Sequence, residues 1–115
     1  MDLVTFFLRQ HAAVHAREVS GLTFSVQRVF ADADDDQMQT YPGRGLNSLV
    51  WLLWHMARTE DAAVNPIVAG RAQVLDDEWM RRMNVPWRII GTGMTDDEVT
   101  EMTARANISA VRAYR

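Results

Sequence analysis

Apolar and polar positions alternate with a helical period along nearly the whole chain. From Asp2 to about Ala31 there is no proline and a single glycine, Gly21. Apolar side chains recur at Leu3, Phe7, Val14, Leu22, Val26 and Val29, while Arg9, Arg17, Gln27 and Arg28 fall on the opposite half of the wheel. This predicts an amphipathic first helix of roughly 30 residues, longer than an average globular helix and suited to a bundle strut. Three polar residues lie inside its apolar arc: His11, His15 and Glu18.

The next stretch, 32–45, is polar and broken. Asp34, Asp35 and Asp36 before Gln37 and Met38 favour one short helical turn, because carboxylates at a helix start complement its dipole. Pro42, Gly43 and Gly45 mark a turn. The acidic run lacks the spacing of a calcium loop and reads as a solvated linker.

A second helix is expected from about Asn47 to Ala69, capped by Asn47 or Ser48. Leu49, Val50, Trp51, Leu52, Leu53 and Trp54 point to every side of it, the mark of a buried segment. Pro66 leaves a carbonyl near Ala62 without its donor and should loosen the helix there, and Gly70 suits its stop. Asp76 can cap a short helix through Met83, with acids first and arginines last, pinned by Trp79 and Met83. Trp87 to Met94 reads as a loop, and its Gly-Thr-Gly is too short for a phosphate cradle. Thr95 and Glu98 form a capping box. The helix it opens carries Val99, Met102, Ala106, Ala110 and Ala113 at core spacing, and that pattern is still running at Arg115.

The fold class that follows is all-α, with three long helices and one or two short ones. The chemistry-bearing positions are few. His55 sits where the dry half of the second helix meets the charged half, Arg58, Thr59, Glu60 and Asp61. Imidazole is the commonest protein metal ligand, and bundles build metal sites from inward-facing helical side chains. The same His can also serve as a core residue bonded to a backbone carbonyl. His55 and Thr59 are placed toward the bundle axis. In the first helix, His11 and His15 stand one turn apart, close enough to hold one ion, with Glu18 a turn further on. The HExxH glutamate of a metalloprotease is missing. Rim exposure for His15, and an inter-helix ion pair for Glu18, are the alternatives. Arg58, Glu60 and Asp61 are expected to form surface or inter-helix salt bridges.

Composition removes several classes. The chain has 115 residues, 48% of them hydrophobic, enough for one domain with a core. Its net charge of −3 offers no basic field for nucleic acid. There is no cysteine, hence no disulfide and no thiolate nucleophile or ligand. All twelve cationic side chains are arginine. The first residues lack signal-peptide character, and the run Leu49–Trp54 is far below the ~20 residues that span a bilayer. A soluble, cytoplasmic protein is expected.

The segments GLNSLVWLLWHMARTEDAAVN and VAGRAQVLDDEWMRRMNVP resemble the DinB/YfiT-like metalloenzyme superfamily, and more narrowly its actinobacterial branch, which includes mycothiol-dependent S-transferases and isomerases. The likeness is strongest from Leu46 to Pro86. It implies an up-down four-helix bundle. It also implies a divalent metal, zinc or nickel, held by one His of the second helix and two further ligands, commonly HxxxH, on the last. His55 matches the first position; no His follows it in this chain. The expectation is therefore a DinB-like domain at 1–115 whose last helix is missing at the C-terminal end. Its open apolar slot would be covered by a second copy in a homodimer. The metal would rest on His55 with help from His11 or His15. The implied activity is thiol S-transfer or isomerisation with a mycothiol-type cosubstrate. The alternative is a non-catalytic helical dimerisation module with no metal or a structural one.

Overall fold

The computed structural model describes residues 2–15 and 26–115, with side chains at 2–10 and 29–115. Those residues form seven α-helices and no strand: α1 Leu3–His15, α2 Val26–Asp32, α3 Asp35–Met38, α4 Leu49–Ala63, α5 Asp77–Met83, α6 Asp96–Arg105 and α7 Ile108–Tyr114. None of these helices is long and apolar enough to cross a membrane. The chain divides into two compact units, residues 1–34 and 35–115.

In the first unit, Asp2 starts α1. Its carboxylate accepts from the Thr5 amide at 2.9 Å and the Thr5 hydroxyl at 2.8 Å, and the Thr5 amide, then its hydroxyl, draw the Asp2 pKa below the usual range. The stretch that would join α1 and α2 into the expected single helix, including Glu18, lies outside the described residues. Leu3, Val4, Phe6 and Leu8 of α1 are exposed, Leu3 to 85%.

In the second unit α4 is the central strut, contacted by α3, α6 and α7, while α5 packs on α7. Ser48, not Asn47, is its N-cap. The Ser48 hydroxyl accepts from the Trp51 amide at 3.2 Å and meets the Thr103 hydroxyl at 2.7 Å. Because Thr103 donates to the Val99 carbonyl at 2.7 Å, Ser48 must be the donor between the two hydroxyls. One buried hydroxyl thus caps α4 and ties it to α6. The apolar block goes inside as its all-round pattern requires: Val50, Leu53 and Trp54 are buried with Met38, Met83, Val85, Met102 and Val111.

Pro66 acts as expected. Regular α-helix stops at Ala63, and Val64–Val68 forms a π-turn in which the Ala69 amide reaches the Val64 carbonyl. Gly70 follows with φ +63°, the left-handed stop. Asp76 caps α5, and the Thr95–Glu98 capping box opens α6.

The expected continuous helix from Thr95 to Arg115 is corrected to two. Ala106 adopts an extended backbone at φ −60°, ψ 134°. Asn107 then caps α7 through the Ala110 amide at 3.0 Å, and its own amide donates to the Met83 carbonyl at 2.8 Å. The break swaps intrahelical bonds for a cap and a tie to the end of α5. Val99, Met102 and Ala106 are buried as expected, but the break changes the inward face of α7: Ile108 and Val111 are buried, while Ala110 is half-buried and Ala113 exposed.

Candidate functional site

His55 projects from α4 at the position four residues after Trp51. That spacing lays its ring on the indole, with centroids 4.8 Å apart and planes 16° apart. Its Nδ1 lies 2.5 Å from the carbonyl oxygen of Ile90. A carbonyl only accepts, so Nδ1 carries the hydrogen, and in the neutral ring Nε2 keeps a bare lone pair. Among the described residues nothing bonds to Nε2. The ring is half-buried. Thr59, expected to share this inward face, is exposed instead and returns its hydroxyl to the His55 carbonyl at 2.7 Å.

The carbonyl-bonded imidazole and the metal-ligand imidazole turn out to be compatible descriptions of one geometry. Histidines that bind metal through one nitrogen commonly donate the other N–H to a carbonyl, which orients the ring. At His55 one ring nitrogen is thus committed to a carbonyl and the other is left with its lone pair. No group of three or more His, Cys, Asp or Glu side chains capable of holding an ion converges among the described residues. His11 and His15 belong to α1, but their side chains lie outside the described residues, as does Glu18.

A second polar cluster begins one turn further along α4. Arg58, 2% exposed, donates from Nη1 to Asp61 Oδ2 at 3.3 Å and to the Tyr114 hydroxyl at 3.0 Å. Its Nη2 reaches the Arg88 carbonyl at 2.8 Å and its Nε the Ile89 carbonyl at 3.4 Å. Asp61 is surrounded by donors. Oδ2 accepts from the Tyr114 hydroxyl at 2.5 Å and the Leu75 amide at 2.9 Å, and Oδ1 from Asn65 Nδ2 at 2.5 Å and the Val74 amide at 2.7 Å. Arg71 Nε in turn donates to Asn65 Oδ1 at 2.6 Å. Burial works against the Asp61 charge and is the largest single influence on it. The bonds from Tyr114, Val74, Leu75 and Asn65 together outweigh it and hold the carboxyl below its ordinary pKa. Burial, and then the adjoining Asp61 carboxylate, raise the Tyr114 hydroxyl.

Beside Asp61 opens a cleft of about 180 Å³, also lined by Glu60, Asn65, Arg71, Val74 and Tyr114. Five donors already occupy the carboxylate, leaving little acceptor capacity for a substrate or an ion. The chemistry available here is cohesion. The cluster fastens α4 to α7, to the strand of chain entering α5, and to residues 88 and 89. Arg58 and Asp61 do form a salt bridge, but it is a buried one within α4 and not the surface or inter-helix bridge expected. Tyr114, Asn65 and the amides of Val74 and Leu75 are partners that the linear pattern does not disclose.

Compared with family models, curated proteins and solved structures, the chain matches none.

Proposed function

We propose that the chain is a DinB-like, metal-dependent enzyme domain, an up-down four-helix bundle acting as a thiol S-transferase or isomerase on a mycothiol-type thiol. His55 is the proposed donor to zinc or nickel through Nε2. The observation that carries this reading is the Nδ1–H bond from His55 to the Ile90 carbonyl, which commits one nitrogen and leaves the other as a lone-pair donor. A divalent cation held by His55 would supply Lewis acidity, the means of lowering the pKa of a thiol or water. The chain's own part is to orient the imidazole between Trp51 and Ile90, and to brace α4 through Arg58, Asp61 and Tyr114.

The test is metal analysis of protein purified without a histidine tag and dialysed against zinc or nickel. About one equivalent per chain, lost in His55→Ala, is expected. Metal-free wild-type protein whose melting curve does not change with chelator would overturn the reading. A specific observation favours a second reading, a helical association module: Leu3, Val4, Phe6 and Leu8 are all more than half exposed on α1.

A further inference from the structure

Three successive carbonyls of the 87–94 loop are aimed at α4. Arg88 and Ile89 accept from the Arg58 guanidinium, and Ile90 accepts from His55 Nδ1. His55 and Arg58, three residues apart, share the α4 face that receives them. For its backbone to come this close, the loop must cross the aromatic pair Trp51 and Trp54, and it crosses at Gly91.

Gly91 is buried and has φ +100°. A Cβ there would sit 2.9 Å from Trp54 Cζ3, 3.0 Å from Trp51 Cζ2 and 3.3 Å from His55 Nδ1. The two indoles are 0% and 7% exposed, so neither ring has room to swing aside. Gly93, two residues on, also has positive φ, +84°, but a Cβ there meets nothing within 4 Å. The two glycines of Gly-Thr-Gly therefore answer different demands. Both accommodate a left-handed backbone, and only Gly91 is pressed against rings.

We infer that Gly91 is a positioning residue for His55: its missing side chain lets the Ile90 carbonyl reach Nδ1, which fixes the tautomer and presents Nε2 as the donor nitrogen. A solvated histidine favours the opposite tautomer, with the hydrogen on Nε2, so the protein must impose this one. Arg58 steadies the carbonyls just before it, and Trp51 holds the ring plane. The inference deepens the metal reading given above, but the tautomer itself is a property of the metal-free protein.

The experiment is long-range ¹H–¹⁵N correlation of the imidazoles in metal-free full-length protein, in mildly alkaline buffer, with the His55 signals identified by their loss in His55→Gln. Wild type is expected to show Nδ1–H. Gly91→Ala is expected to move His55 predominantly to Nε2–H and to weaken zinc binding about 10–100-fold, the scale for losing a ligand's orienting partner. Gly93→Ala is expected to keep Nδ1–H. Wild-type His55 with its hydrogen on Nε2, or a folded Gly91→Ala that retains Nδ1–H, would overturn the inference. If Gly91→Ala does not fold, Gly93→Ala decides: a switched tautomer there would show that loop strain, not close approach, sets it. Wild type with Nδ1–H but no zinc binding keeps the positioning role and removes the metal reading.

Discussion

At the scale of single residues, the Arg58–Asp61–Tyr114 cluster makes the largest energetic demands. Removing one partner of a buried ion pair leaves the other charge stranded, so Asp61→Ala should cost about 3–5 kcal/mol in urea unfolding. Tyr114→Phe removes one hydrogen bond each from Arg58 and Asp61, both of which keep other partners, and should cost about 1–3 kcal/mol. The lowered Asp61 pKa makes this stability depend on pH in one direction. Folding favours the ionised carboxyl, so its contribution is complete above the unfolded-chain value of about 3.9 and fades as pH falls through the lower folded value. Wild-type melting temperature should therefore drop on the acid side, below about pH 4, and Asp61→Asn should flatten that limb. The sequence marks Arg58 and Asp61 as salt-bridge residues, but neither their pairing within α4 nor its burial, because Tyr114 and the Val74 and Leu75 amides arrive from elements distant along the chain. The same holds for His55: a His at a polar–apolar border can be read from sequence, but the carbonyl that sets its tautomer lies 35 residues away.

Elements whose ends are governed by local chemistry were readable in advance. The caps at Ser48, Asp76 and Thr95, the loosening at Pro66 and the stop at Gly70 all depend on residues within a turn of the event. The break between α6 and α7 was hidden, since the core spacing Val99, Met102, Ala106, Ala110 continues across it. What decides it is the tie from the Asn107 amide to the Met83 carbonyl, a contact between distant parts of the sequence. Asn107→Ala should lose the α7 cap and about 1 kcal/mol of stability, measured by denaturant unfolding. It should not restore a continuous helix, because the amide tie to Met83 survives the change. Hydrogen exchange of the residue 107 amide, slow in wild type and still slow in the variant, checks this. Rapid exchange in the variant would show that the side-chain cap, not the backbone tie, holds the break.

For the molecule as a whole, the apolar surface of α1 and the imidazole of His55 set the two functional readings. If copies associate through α1, light scattering at micromolar concentration should report a dimer, and Leu3→Asp with Leu8→Asp should shift it to monomer. Wild-type protein that is already monomeric would remove that reading. The metal reading rests on His55 Nε2. Its most direct test is a zinc titration followed by the imidazole ¹⁵N signals. Addition of zinc should shift His55 Nε2 in a saturable way while Nδ1 stays protonated. A His55 Nε2 signal that zinc leaves unmoved would contradict the account.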